Sequence, residues 1–196
     1  MKQNMKIKKF GVAAVLAIGI LASTGTCFAL KKSDMNIGGI YFGQPIEKVI
    51  AKMGKPVDKR VLEYDRFGGV KHEIQRYEYV FVKNGVKFIV TADETVKGVI
   101  VDKTAKAAGL STKAGIALGS SIEDVLKTYG KPDSDYGFDE HHTAKDPNGV
   151  TRLICYGKPL AKKENRWEEQ LLLRFGFDEK GKLVTMDYDQ GVMIGE

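Results

Sequence analysis

The phrase IEKVIAKMGKP fills residues 46–56, and IEDVLKTYGKP fills residues 122–132, so the chain repeats itself 76 positions apart. Aligned without a gap, residues 39–58 and 115–134 share nine identical positions: Gly39/Gly115, Ile40/Ile116, Gly43/Gly119, Ile46/Ile122, Glu47/Glu123, Val49/Val125, Gly54/Gly130, Lys55/Lys131 and Pro56/Pro132. Ile46, Val49, Ile50 and Met53 fall at i, i+3, i+4 and i+7, which places them on one face of a helix. Ile122, Val125, Leu126 and Tyr129 have the same spacing. Start signals precede both helices. Pro45 fits the first helical position, where a missing N–H costs nothing. Ser120 is expected to cap the second helix, with Glu123 reaching back as a capping box. Gly54 and Gly130 suit a left-handed residue just past the helix end, and the prolines two residues on prevent continuation.

The segments after the two helices match as well. Residues 72–82, 86–92 and 96–102 read as strands of the first copy, with an Asn-Gly hairpin signal at Asn84-Gly85. Residues 151–157, 169–177 and 182–189 take those places in the second copy. A further short strand is expected near Val61–Arg66. The second copy carries about nine extra residues within GKPLAKKENRWEE (157–169). Val86, Phe88, Val90 and Ala92 alternate with Lys87, Ile89 and Thr91; Leu171, Leu173, Phe175 and Phe177 alternate with Leu172, Arg174 and Gly176. Such alternation belongs to an antiparallel sheet with one covered face and one available face. Short helices bury too little alone, so helix and sheet need each other. The fold class is therefore α+β: two tandem repeats, each a short helical segment on an antiparallel β-sheet. The expected division is residues 1–29 as a leader, 30–104 as repeat 1 and 105–196 as repeat 2, with the joint near residues 102–112.

The leader has three parts: Lys2, Lys6, Lys8 and Lys9, then the apolar run FGVAAVLAIGILA (10–22), then small and polar residues to Ala29. That is the pattern of a cleaved secretory signal peptide. The rival is an uncleaved N-terminal membrane anchor, although the apolar run falls short of the roughly 20 residues a spanning helix needs. The chain carries 31 basic and 25 acidic residues for a net of +6; four of the lysines lie in the leader, which leaves +2 for the rest. No clustered basic face for nucleic acid is expected from that balance. Cys27 leaves with the leader and Cys155 alone remains, so no internal disulfide is expected.

The spacing GIxxGxxIExVxxxxGKP, with later strands that end in an FDxxGKL-type hairpin (Phe177-Asp178-Glu179-Lys180-Gly181-Lys182-Leu183), resembles the SmpA/OmlA superfamily. Two tandem copies of this length resemble the β-lactamase inhibitory protein family, whose repeats each set helices against a four-stranded antiparallel sheet. The resemblance implies a binding module of the cell envelope rather than a catalyst, with the sheet's available face docking a protein partner. It carries over no contact residues. The chain differs from the inhibitory proteins in lacking paired cysteines, and from the assembly lipoproteins of SmpA/OmlA type in lacking a good lipidation site.

Motifs for catalysis are missing: there is no Gly-x-Ser-x-Gly, Walker loop, HExxH or CxxC, and no cofactor is expected. The best metal candidate is DEHHTAKD (139–146), with His141 and His142 flanked by acids; adjacent histidines diverge on an extended chain, and His72 is remote in sequence. Cys155 lies mid-strand and fits a small hydrophobe better than an activated nucleophile. Trp167, the single tryptophan, lies in the charged extra segment, either as an interface anchor or folded onto its own sheet. Tyr77, Tyr79 and Phe81 are expected in the core, with Leu153, Cys155 and Gly157 as their counterparts. Arg76, its counterpart Arg152, Lys87 and Arg174 are then expected on the available face, as a solvated polar surface or a docking site. Three functions remain open: an exported non-enzymatic protein-binding module, an inhibitor of a secreted or periplasmic enzyme, or a metal-dependent or thiol enzyme using His141, His142 and Cys155. Membrane association enters only if the leader stays uncleaved.

Overall fold

A computed structural model describes residues 30–62, 76–84, 86–138, 146–162 and 167–194. The leader, His72, His141 and His142 lie outside the described residues. The elements run β1 (Asn36–Ile37), β2 (Ile40–Tyr41), α1 (Ile46–Met53), β3 (Asp58–Leu62), β4 (Arg76–Lys83), β5 (Val86–Ala92), β6 (Val96–Asp102), a 3-10 segment (Lys103–Ala108), α2 (Ile122–Tyr129), β7 (Ser134–Gly137), β8 (Arg152–Lys162), β9 (Trp167–Phe177) and β10 (Leu183–Ile194). Strands β3 to β10 form one antiparallel sheet in the order β3-β4-β5-β6-β10-β9-β8-β7. Each copy supplies four consecutive strands, and the copies meet at β6 and β10, where Val99 faces Tyr188 and Val101 faces Met186.

The two halves share a set of equivalent backbone bonds. The Gly43 N–H donates to Val96 O at 2.8 Å and the Gly119 N–H to Leu183 O at 2.8 Å. The Val96 N–H returns a bond to Gln44 O, and the Leu183 N–H to Ser120 O. The amides of Gly54 and Gly130 close the last helical turn on Ile50 O and Leu126 O. Val57 and Asp133 then dock on Val80 O and Cys155 O. These pairs also reveal a slip. Helix positions differ by 76, but Val80 matches Cys155, so the connection in the second copy is one residue shorter. A slip of one turns every side chain to the other face. The counterparts of Tyr77, Tyr79 and Phe81 are therefore Arg152, Ile154 and Tyr156, not Leu153, Cys155 and Gly157.

The described helices and the 3-10 segment cover one face of the sheet. Phe81, Phe88, Val90 and Val99 from the first copy and Ile154, Tyr156, Leu173, Phe175 and Tyr188 from the second are buried beneath Val49, Val125 and Tyr129 of the helices. Burial of each such side chain contributes about 1.5–3 kcal/mol. The alternation expected along β5 and β9 holds: Phe88, Val90, Ala92, Leu171, Leu173, Phe175 and Phe177 are all buried. Two hydroxyls pin layers together, with Tyr188 Oη donating to Ile40 O at 3.0 Å and Tyr156 Oη to Gly130 O at 2.9 Å.

Three local expectations are corrected. The cap of α2 is Ser121, not Ser120: Ser121 Oγ accepts from the Asp124 N–H at 3.1 Å, and Asp124 Oδ2 accepts from the Ser121 N–H at 2.8 Å. Asp124 rather than Glu123 thus completes the box, one residue later than expected. Pro45 is likewise the cap of α1 rather than its first turn. Gly54 (φ 87°, ψ −179°) and Gly130 (φ 76°, ψ −152°) are not left-handed helical; they hold positive φ with extended ψ, a region nearly restricted to glycine. A Cβ on Gly54 would meet nothing within 4 Å, so its substitution isolates backbone strain. Gly54→Ala is expected to cost about 1–3 kcal/mol in urea unfolding, with Lys55→Ala within about 0.5 kcal/mol of wild type as the neighbouring control.

The described part of the second copy's surplus is strand. It lengthens β8 and β9, so Lys158 pairs with Leu171 and Lys162 with Glu168, and β10 runs alongside until Ile194 faces Trp167. The early strand near Val61 is β3, and it starts three residues sooner, at Asp58.

Candidate functional site

The second face of the sheet carries no described helix. One row of residues crosses it from edge to edge, with one member from each strand: Asp58, Val80, Ile89, Ile100, Asp187, Arg174, Cys155 and Ser134. The row changes character at the junction of the copies. The first-copy half is apolar beyond its edge, with Ile100 38% exposed and Val82 nearby at 37%. The second-copy half is charged at its centre, where Arg174 Nε and Nη2 donate to Asp187 Oδ1 at 2.7 and 2.6 Å. At the far edge Tyr136 is 53% exposed beside Leu153. The face thus sets an apolar patch next to a fixed charge pair.

Pairing holds the charges there against burial. Burial pushes the Asp187 carboxyl up, with Arg174 pulling against it. Burial works against the Arg174 charge too, but Asp187 and Asp189 outweigh it and keep the guanidinium protonated. Burial raises Asp189 to about 6, against the pull of Arg76 and Arg174. Arg76 Nη1 lies 3.8 Å from Asp189 Oδ1 and donates to Gln190 O at 3.3 Å, so a first-copy strand is tied to a second-copy strand. Gly98 allows that closeness. A Cβ there would stand 2.6 Å from Thr91 Oγ1, 2.8 Å from Tyr188 O and 2.9 Å from Asp189 Oδ1.

Asp189 makes stability depend on pH with a definite sign. Its folded value exceeds the unfolded value of about 3.9, so the native state binds the extra proton between those limits. The stabilising contribution is complete below about pH 4 and is lost as pH rises through about 6. With the side chain 31% exposed, the change is expected to be about 1–2 kcal/mol, after allowance for solvent screening. Asp189→Asn should flatten that part of the pH–stability curve, measured by urea unfolding from pH 4 to pH 7.5. A variant curve parallel to wild type would contradict the assignment.

The positions of the sequence candidates divide. Arg76, Lys87 and Arg174 lie on the helix-free face, Lys87 exposed and opposite Val82. Arg152 does not. It shares the side of Ile154 and Tyr156 because of the one-residue slip, and forms a two-pronged pair with Asp135, Nε–Oδ1 2.9 Å and Nη2–Oδ2 2.7 Å. Cys155 is likewise on the helix-free face rather than in the core. Burial raises its thiol, with Arg174 opposing, which is the reverse of nucleophile activation. Trp167 opens β9 opposite Ile194; its side chain lies outside the described residues. Among the described residues no three of His, Cys, Asp and Glu converge as a metal site. Nor is any described helix long and apolar enough to cross a membrane. Sequence reasoning missed Ile100 and Asp187, whose signal was the exposed phase of the alternation in 96–102 and 183–189.

The class that these features define is a tandem α+β protein with one large antiparallel sheet covered by short helices on one face. No family model matches the chain, and no curated protein does. Among solved structures it is similar to a cysteine-rich secretory protein from Staphylococcus aureus, at 14% identity and TM-score 0.42, covering 78% of this chain and 45% of that one. It is also similar to a protein assigned as a β-lactamase inhibitor from Streptococcus mutans, at 14% identity and TM-score 0.27, covering 79% of this chain and 85% of that one. This chain therefore spans less than half the length of the staphylococcal protein.

Proposed function

We propose that this protein is an exported, non-enzymatic binding module of the cell envelope or extracellular space, and that it docks a protein partner on the helix-free face of its sheet. The observation that carries the reading is the row from Asp58 to Ser134. It puts exposed Ile100 beside the Arg174–Asp187 pair. Apolar area bordered by charge is the composition of a docking surface. Lys87 and Arg76 border this patch, and Trp167 lies on the prolonged hairpin beyond it. The raised Cys155 thiol and the internally paired Arg152 fit a binding role better than a chemical one. Export rests on the three-part leader. Inhibition of a secreted enzyme is a narrower version of the same reading, in which the partner loses activity when bound.

The test is a photo-crosslinking side chain at Ile100, compared with one at Lys48 on the exposed side of α1, each in the native envelope. A discrete adduct from position 100 that is absent from position 48 and removed by Leu172→Glu, two residues from Arg174 on the same face and opposite Asp189, supports docking. Identical adducts from both positions, or none from position 100, would refute it.

A further inference from the structure

A second feature lies away from the sheet's helix-free face. A cleft of about 370 Å³ opens between the 3-10 segment and the start of β10, with Lys103, Lys106 and Lys182 on its wall beside Leu118 and Leu183. None of the three ammoniums has a carboxylate within 4.0 Å among the described residues. The acid of the cleft, Asp178, uses Oδ1 to accept from the N–H groups of Lys180 and Lys182 at 3.0 and 2.8 Å, which holds the hairpin turn.

The first copy serves as an internal control. There Phe42 stands in place of Leu118, and the ammoniums of Lys32 and Lys97 lie 5.1 and 5.9 Å from its ring centre. Asp93, the counterpart of Asp178, pairs with Lys97 at 3.1 Å. The same loop thus settles its lysines internally in one copy. In the other, Leu118 and Val184 replace Phe42 and Lys97, and Lys182 stands where the first copy has Thr95, with Asp124 close enough to feel its charge. Gly119, at φ +93°, keeps the cleft floor bare: a Cβ there would be strained and would stand 3.6 Å from Lys106 Nζ. Like charges gathered in a concavity raise the local concentration of anions.

We propose that this cleft binds a phosphate monoester. Lysines act as point charges on phosphate and need no planar, two-pronged partner. Three of them suit a dianion, and the leucines give an apolar wall to the organic part.

The test uses the full chain, titrated at constant ionic strength with glycerol phosphate and with dimethyl phosphate, and monitored by amide NMR. Saturable shifts at Gly119 and Leu183 are expected with glycerol phosphate, and weaker binding with the diester. Lys106→Gln with Lys182→Gln should weaken binding about tenfold or more, as expected when two charge-assisted contacts are lost. Leu118→Phe, which imitates the first copy, should abolish binding while leaving every lysine in place. Shifts that never saturate, that survive both variants, that are as strong with the diester, or that centre on Lys55 and Lys131 would overturn the proposal.

Discussion

Phe175→Ala is expected to lower the free energy of unfolding by about 3–5 kcal/mol, at the top of the range for a single core truncation. Phe175 is fully buried, with its ring 5.4 Å from Tyr129 and 6.2 Å from Tyr156. Neither neighbour can move freely into the space. Tyr156 is held by its hydroxyl on Gly130 O, at the end of α2, and Tyr129 is part of α2 itself. The cavity would therefore stay largely open, which adds to the lost transfer energy. The melting temperature should fall by on the order of 10 °C for a domain of this size. The equivalent first-copy position is Val90, since Val80 pairs with Ile89 where Cys155 pairs with Arg174. Val90→Ala removes fewer atoms and should cost about 1–3 kcal/mol. Equal losses at the two positions, measured by urea unfolding, would contradict an aromatic core in the second copy.

Arg174→Ala should cost about 2–4 kcal/mol at pH 7, because it strips a deeply buried carboxylate of its partner. The upper end of the buried range is not expected, since the Arg174 side chain is 34% exposed. The loss has a pH signature. Without the guanidinium, burial alone acts on Asp187 and raises it further, so the variant's native state keeps a proton on that carboxyl. Its stability then falls as pH rises from the unfolded value near 4 through the raised folded value. The gap to wild type should widen over that interval. Adding Asp187→Asn to Arg174→Ala should recover much of the loss and remove the widening. If the double variant is no better than Arg174→Ala alone, the pair does not carry the stability assigned to it. Arg174 is for this reason a poor probe of docking, and Ile100 and Leu172 are better ones.

Much of this fold could be read from Ile46, Val49, Gly54 and Pro56 and their second-copy partners, because helix period and stop signals are local. The strands β5 and β6 were legible to the residue, since Val86 to Ala92 and Val96 to Asp102 alternate and are bounded by turn residues. What escaped depends on distance. The one-residue slip between Val80 and Cys155 arises in a connection whose length no local pattern reports, and it alone sent Arg152 to the helix side and Cys155 to the other face. The β7 strand, Ser134 to Gly137, is too short and polar to announce itself; its partner β8 makes it a strand. The β1–β2 hairpin did carry a signal, Gly38-Gly39 between two isoleucines, with both φ angles positive. Of the site, Lys87 was legible through alternation. The Arg76–Asp189 contact was not, since it depends on Gly98 leaving room between strands from different copies.

The fold and its helix-free face both depend on the two copies sharing one sheet through β6 and β10. Cross-strand Hα contacts and amide exchange, measured by NMR on the full chain, test that junction. Close approach of Val99 to Tyr188 and of Val101 to Met186 is expected, with the slowest-exchanging amides of the chain in these two strands. Two separate four-stranded sheets, with β6 and β10 both exchanging as free edges and no contact between Val99 and Tyr188, would contradict the shared face and the docking surface built on it.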